Sequence, residues 1–414
     1  MDKELLKRII FDQHNIQFKP TDIKRFSELH EDNQVVVLSG VRRCGKSTFL
    51  LELRQKLKES DYYLNFDDDR LVNFTIYDFQ LLYETFIELY GEQKTFYFDE
   101  IQNIKGWERF VRRLHDYGNK IYITGSNASM LSRELGTHLT GRYYQNELFP
   151  FSFKEFLQIR KHKYNKQIIY KTKGKSELKA MFNEYFLKGG FPAYLQSGNK
   201  QYLTSLYENI LYRDVMVRNG LTNEKELLEL VHFIASNTSK LISYNSLTKV
   251  IGVKNATTVK NYLSYLQNTY LLFLINKYDV SVKKQIQNPK KVYFIDVGLV
   301  RELGFYYNED NGRLLENIVF IELKRRAKEI YYHNRKKECD FVIKEKNKIV
   351  EAIQVSWSIY NDETRKREIE GLIDALKTYN LNKGLILTES DEEQLVVENY
   401  NIEIKPVWKW LLQL

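Results

Sequence analysis

Cysteine is nearly absent: Cys44 and Cys339 are the only two in 414 residues. A pair so far apart excludes a disulfide-stapled scaffold and predicts free thiols in a reducing cytosol. Long apolar runs are missing as well. No window approaches the roughly 18 uninterrupted apolar residues of a membrane span. The best run, YLLFL at 270–274, is short enough to be a buried strand. The amino-terminal MDKELLKRIIFDQHN lacks the long apolar core of a secretion signal. Together these absences predict a cytoplasmic chain with no membrane partner.

Core material is plentiful, with 43% hydrophobic residues, 30 Tyr and 24 Phe. At 414 residues the chain exceeds one ordinary core, so two to four domains are expected. The net charge of +9 suggests a polyanionic partner, although where the charge falls matters more than its sum.

Residues 34–39 (QVVVLS) form a short β-branched run of the kind buried in parallel sheets. They lead into Gly40-Val-Arg42-Arg43-Cys44-Gly45-Lys46-Ser47-Thr48 and then a stretch with helical spacing. This is the pattern G-x-x-x-x-G-K-[ST] in its strand–loop–helix setting. The glycines let main-chain N–H groups of Gly40, Arg42, Arg43, Cys44 and Gly45 turn toward phosphate. Lys46 brings a cation to the β- and γ-phosphates, Ser47 ligates magnesium, and the helix start at Ser47 and Thr48 adds a favourable dipole. A disulfide at Cys44 would obstruct such a ligand.

Residues 94–101 read KTFYFDEI, a strand ending in two carboxylates. Asp99 is expected to hold magnesium and Glu100 to polarise the attacking water, the two tasks phosphoryl transfer needs. Two further strands fit the same sheet: YYLNF at 62–66, running into Asp67, Asp68 and Asp69, and KIYIT at 120–124, running into Gly125, Ser126 and Asn127. Ligands collect at the carboxyl ends of parallel strands, so Ser126 or Asn127 is placed to sense the γ-phosphate; either also suits a helix N-cap. Arg142 follows a helix and a glycine, where it either reaches phosphate, in its own subunit or a neighbour's, or is a surface arginine.

GVRRCGKST, YLNFDDDRL, FYFDEIQNIKGWERFVRRL, ITGSNASML, LTGRYYQNELFPFSFKEFL, GGFPAYL, LLENIVFIELKRR and KKECDFVI together resemble archaeal and bacterial AAA-type ATPases that carry a further C-terminal region. The resemblance spans nearly the whole chain. It implies an α/β architecture: a AAA-like P-loop core related to STAND ATPases (1–160), a helical lid (161–222), a winged helix (223–300) and a restriction-nuclease-like domain (301–414). It also implies ATP and Mg²⁺ as ligands, and a sensor or finger role for Arg142.

The middle of the chain can be read independently of that resemblance. A lysine-rich stretch at 161–177 marks a loop or insertion, and a helical pattern at 178–187 stops at Gly189-Gly190-Phe191-Pro192, which fits a lid ending near the nucleotide. Two short helical segments joined at Gly252 resemble a helix-turn-helix. Val259, Tyr262, Leu263 and Leu266 share its inward face, leaving Thr257, Thr258, Lys260 and Asn261 for nucleic acid. Segments 271–278 and 291–295 read as the strands of a wing whose basic tip holds Lys283, Lys284, Lys290 and Lys291. DNA is the expected partner, bound through phosphate neutralisation; winged helices also dock proteins.

The helical stretch 313–324 carries Glu316, and strands follow at 329–333, 338–343 and 348–357. This order, with Asp340, resembles the PD-(D/E)XK nuclease fold, which uses two acids to hold magnesium and a lysine to activate water. The register puts Gln354 at the second acid and Ser356 at the lysine. Glu351, three residues away, points to the opposite face, and Lys344 or Lys348 remain alternative cations. A scaffold without cleavage is the expectation. The favoured reading is thus an ATP-driven switch or motor on DNA; the rivals are an ATP-regulated nuclease and a protein-docking switch. An Arg142 acting on a neighbour would require a homo-oligomer.

Overall fold

The computed structural model describes residues 1–16, 23–25, 34–57, 61–128, 136, 139, 141–165, 167–304 and 311–413. They form two compact units, Met1–Phe149 with Asn268–Tyr270, and Pro150–Gln267 with Leu271–Leu414.

The first unit is built on five strands: β1 (Val35–Ser39), β2 (Asp61–Asn65), β3 (Thr95–Asp99), β4 (Lys120–Gly125) and β5 (Tyr143–Glu147). All pair in parallel in the order β2-β3-β4-β1-β5. Every residue of β1 and β3 is buried, as both faces of a parallel sheet must be when crossover helices cover them. Helices Lys3–His14, Lys46–Leu57, Phe79–Tyr90 and Trp107–Asp116 supply that cover. The core between them is aromatic. Phe79 stacks on Phe110 at 4.6 Å between ring centroids and Tyr62 on Phe86 at 4.7 Å, while Trp107, Phe96 and Phe98 are fully buried.

The second unit begins with helices Phe153–Ile159 and Thr172–Lys188. The Gly189-Gly190 breaker is a packing corner. The Asp296 carboxylate accepts the Gly190 N–H at 2.6 Å, and the Phe151 N–H donates to the Gly190 carbonyl at 2.7 Å. Further on come helix Glu224–Ser236, β6 (Leu241–Ile242), helices Tyr244–Val250 and Ala256–Asn268, then β7 (Leu272–Asn276) and β8 (Lys290–Phe294). The three strands form an antiparallel sheet in the order β6-β8-β7. The tip expected between β7 and β8 contains a short helix, Val282–Gln287, capped by the Ser281 hydroxyl.

Helix Asn311–Arg325 precedes a six-stranded sheet, β9 (Glu329–Asn334), β10 (Glu338–Glu345), β11 (Lys348–Val355), β12 (Lys383–Thr388), β13 (Glu393–Val397) and β14 (Tyr400–Pro406), in the order β13-β14-β12-β11-β10-β9. β9, β10 and β11 are an antiparallel meander. β11, β12 and β14 run parallel, with helix Asp362–Tyr379 as the crossover on one face. The middle sheet meets this one edge to edge: Lys277 bridges to Tyr332, and the Tyr278 N–H donates to the Tyr332 carbonyl at 2.9 Å.

Candidate functional site

β1 ends at Ser39, and the chain must reverse at once to start helix Lys46–Leu57. Gly40 makes this possible. Its φ is +149°, and a Cβ there would lie 2.1 Å from the Leu148 carbonyl oxygen, which abuts the turn from the end of β5. Gly45 also has positive φ, +101°. Cys44 is buried, and its Sγ faces the same Leu148 carbonyl at 3.4 Å. Both cysteines are free thiols. Burial first, and Lys46 and Arg25 against it, leave the Cys44 thiol above its ordinary pKa, so it is a packing residue of the loop.

Within the loop the Lys46 ammonium donates to the carbonyls of Gly40 at 3.2 Å and Val41 at 3.1 Å, and lies 3.6 Å from Glu100 Oε1. Asp99 ends β3, the strand two places from β1, and is wholly buried. The Thr124 hydroxyl donates to its Oδ1, and the Ser47 hydroxyl also faces the carboxylate. Its Oδ2 is buried without a hydrogen-bond partner among the described residues. Burial, reinforced by the neighbouring Glu100, pushes the Asp99 pKa up to about 6. An orphaned carboxylate oxygen beside a serine hydroxyl at a phosphate loop is a fitting pair of donors for a hard divalent cation.

Glu100 takes a left-handed conformation with φ 51° and ψ 39°. For a residue with a side chain this stores about 1–2 kcal/mol of strain, of the kind that collects at functional sites. The turn aims the carboxylate back toward Lys46. The Gln102 amide donates to Oε2, Ser126 Oγ reaches the same oxygen at 3.2 Å, and the Glu100 N–H donates to Thr124 Oγ1 at 2.9 Å. Burial would raise its pKa, but Lys46, Gln102, Arg42 and Ser126 together bring it below the usual value, so the carboxylate is held charged.

The geometry therefore brings Lys46, Ser47, Asp99, Glu100 and Ser126 together, with Arg42 near enough to act on Glu100 by charge. Arg43, exposed in a left-handed turn, and Thr48 complete the loop, and Asn127 is buried at the end of β4. Sequence reasoning missed three residues. Thr124 shares the β4 face of Ser126 by simple alternation, which was a usable signal. Gln102 enters through a single turn of 3₁₀ helix. Arg25, whose guanidinium donates to the carbonyls of Cys44 at 3.3 Å and Phe149 at 2.7 Å, had no local signal at all.

Arg142 requires a correction. It precedes β5 at the amino-terminal end of the sheet, its carbonyl accepting the Val35 N–H at 2.8 Å. The phosphate loop lies at the other end of β1, roughly 15 Å along the strand. Its guanidinium faces Asp116 at 3.5 Å. It does not reach the phosphate loop of its own chain.

In the middle segment Thr257, Lys260 and Asn261 are exposed and Thr258 half-buried, with Val259, Tyr262, Leu263 and Leu266 packed inward as expected. Lys283 and Lys284 are exposed on the short helix. Lys290 and Lys291 are not part of a basic tip: both are buried, because β8 is the central strand of its sheet. The Lys290 ammonium donates to the Gln285 carbonyl. The Lys291 ammonium lies 3.1 Å from Glu316 Oε1, 2.8 Å from Glu338 Oε1 and 2.8 Å from Asp340 Oδ1.

Gln354 stands beside Asp340, its Oε1 accepting the Asp340 N–H at 3.1 Å, while Asp340 Oδ2 accepts the Val355 N–H at 2.9 Å. Ser356 is buried and donates to the Ser358 carbonyl at 3.0 Å. Glu351 is exposed, 3.6 Å from Lys328. Lys344 is 2.9 Å from Glu329, and Lys348 is exposed, so neither enters this cluster.

Comparison with known proteins agrees with the first unit and leaves the second open. A AAA domain model matches residues 32–157. Two domains of unknown function match 179–309 and 311–410. An uncharacterized protein of Methanocaldococcus jannaschii is 36% identical over 434 residues, covering 100% of this chain and 96% of its own length. An uncharacterized protein of Haemophilus influenzae is 31% identical, with 100% of both chains covered. Among solved structures, a Thermotoga maritima RuvB Holliday junction branch migration motor aligns with 58% of this chain and 81% of its own at 15% identity and a TM-score of 0.29, a likeness too slight to bear on reaction or partner. Among the described residues no helix is long and apolar enough to cross a membrane.

Proposed function

Because the chain belongs to the family of its Methanocaldococcus and Haemophilus relatives and matches a AAA domain over residues 32–157, we propose that it binds and hydrolyses ATP with Mg²⁺ and uses the cycle as a DNA-associated switch or motor. The observation that carries the hydrolytic part is the side-by-side pair at the end of β3, a buried Asp99 with a free Oδ2 and a charged Glu100 facing Lys46. Lys46 neutralises charge on the β- and γ-phosphates. Ser47 and Asp99 hold magnesium, which supplies further neutralisation when bound. Glu100 orients water and draws off its proton, while Ser126 fixes the Glu100 carboxylate. Arg142, remote from its own loop, would serve only a neighbouring copy, which makes a homo-oligomer part of this reading.

The DNA part rests on the middle segment. Its order of helix, short strand, two helices and two strands, with a further short helix between those strands, supports a winged-helix reading, and Thr257, Lys260 and Asn261 lie exposed at the start of the second helix of the pair, with Lys283 and Lys284 exposed beyond β7. A second reading, docking of a protein, is favoured by one fact: with Lys290 and Lys291 buried, half the expected basic cluster is withdrawn from any phosphate.

The test is the ATPase rate of wild type and Glu100→Gln, with and without duplex DNA. We expect Glu100→Gln to bind nucleotide but hydrolyse it on the order of 10²–10³-fold more slowly, and DNA to stimulate the wild type alone. Normal hydrolysis by Glu100→Gln would remove the assignment of the base. Hydrolysis without any DNA response or salt-sensitive DNA binding would favour the protein-docking reading.

A further inference from the structure

A working site of the nuclease fold that the C-terminal sheet resembles would hold a divalent cation at this acid cluster, and the residues present do not suit one. Among the described residues, no group of three His, Cys, Asp or Glu is disposed to hold a metal. The second acid position is Gln354, whose amide is turned to Glu368 and whose carbonyl is committed to the Asp340 N–H. The centre of the cluster is filled by Lys291.

We propose that the Lys291 ammonium is a built-in replacement for the divalent cation of this site, contributed by β8 of the middle sheet, so that the C-terminal site is closed to metal and serves as a joint between the two sheets. The geometry is that of a cation in a carboxylate cage: three acidic oxygens from helix Asn311–Arg325 and from β10 lie within 3.1 Å of one nitrogen. The ammonium donates hydrogen bonds to Glu316 Oε1 and Asp340 Oδ1, and Glu338 completes the cage as an ion pair. Lys291 is 98% buried, and an ammonium at such depth is tolerated only when paired in this way. Two places along the same face of β8, the Tyr293 hydroxyl donates to Glu316 Oε1 at 2.6 Å and its ring stacks on Phe320 at 4.2 Å between centroids. Asn317 continues the joint, accepting the Phe294 N–H at 2.8 Å and donating to the Phe294 carbonyl at 3.0 Å.

The groups facing the ammonium also have a consistent charge balance. Burial, with Asp340 adding to it, pushes Glu316 up to about 8, so this acid keeps a proton at neutral pH and the cage is less acidic than its formula suggests. Burial opposes the charge on Lys291, but Asp340, Glu316, Tyr293 and Glu338 outweigh it and keep the lysine protonated. A monovalent cation fixed on a strand answers this cage, whereas a magnesium ion would have to displace it and accept an amide where a carboxylate is needed.

The proposal goes beyond the ATPase reading and stands or falls separately from it. It is tested by thermal unfolding and by Mn²⁺ titration followed by electron paramagnetic resonance, on the full chain. Wild type is expected to bind no Mn²⁺ that is lost in Asp340→Asn. Lys291→Met is expected to lower the unfolding midpoint by several degrees, and either Asp340→Asn in the same chain or millimolar Mn²⁺ should restore most of it, since each answers the exposed negative charge. If Lys291→Met does not fold, Lys291→Met/Asp340→Asn is expected to fold. Asp340-dependent Mn²⁺ binding by wild type overturns the proposal. So does a Lys291→Met defect that neither neutralisation nor Mn²⁺ relieves.

Discussion

One hydroxyl ties together the two acidic residues of the phosphate site: Thr124 Oγ1 donates to Asp99 Oδ1 and accepts the main-chain N–H of Glu100 at 2.9 Å. The bridge fixes the left-handed turn at Glu100 and offsets part of the burial of Asp99. Thr124→Val keeps the shape and removes both bonds. We expect about a tenfold loss of ATP turnover, on the scale of one misplaced catalytic group, with nucleotide affinity little changed. Thr124→Ser should recover most of the rate. Steady-state kinetics on the three proteins decide it; an unaffected Thr124→Val would make the bridge merely structural.

The pKa of Asp99 makes magnesium use pH-dependent. Its pKa is raised from 3.8 to about 6, first by burial and then by Glu100. Below about pH 6 the nucleotide-free protein carries a proton there, which magnesium must displace; above it the site is already charged. The Mg²⁺ enhancement of nucleotide binding should therefore be flat above pH 7 and fall about tenfold between pH 6 and pH 5. Titrations of a fluorescent ATP analogue with and without Mg²⁺ measure this, and Asp99→Asn should abolish both the enhancement and its pH profile.

Asp296 gives a stability profile that runs the other way with pH. Burial raises it to about 6 against the three N–H groups it accepts, from Gly190, Gly298 and Leu299. The folded state thus holds a proton that the unfolded chain, at 3.8, has lost. This contribution is fully present below about pH 4 and disappears as pH rises through 6. The pH dependence of urea unfolding should lose that component in Asp296→Asn, provided unfolding of the second unit is resolved from the first.

Gly190 is a purely steric requirement. A Cβ there would sit 2.2 Å from the Phe151 carbonyl oxygen and 2.9 Å from its nitrogen, both main-chain atoms that cannot swing aside. Gly190→Ala should lower stability by about 2 kcal/mol or more. Denaturant unfolding checks this, and Gly198→Ala is not an equivalent control because Gly198 has φ +69° with open space around it.

Exposed and buried lysines should separate in a salt titration of DNA binding. Lys283→Ala/Lys284→Ala is expected to reduce the slope of log affinity against log salt by about 1 to 2. Lys290→Ala, at a buried position, should change stability and leave the slope alone. Equal slopes for wild type and the Lys283/Lys284 variant would detach those lysines from phosphate.

Legibility followed distance along the chain. Gly40–Thr48 and the Asp99–Glu100 pair could be located directly because each is a few consecutive residues whose turn needs particular φ values. The inward face of Ala256–Asn268 followed from period alone. The same logic failed at Lys290 and Lys291, where two adjacent lysines near a presumed tip look alike in any local window. Only the position of β8 in the middle of its sheet made them interior, and only the approach of helix Asn311–Arg325 and β10 gave Lys291 its three acids. Arg142 failed for a related reason, since which end of a parallel sheet a residue occupies depends on strand register. Sequence by itself thus determined that this is a phosphate-loop protein, because backbone chemistry is local. Which charges face solvent and which neutralise one another was decided by the tertiary structure, because burial and pairing depend on segments that meet only after folding.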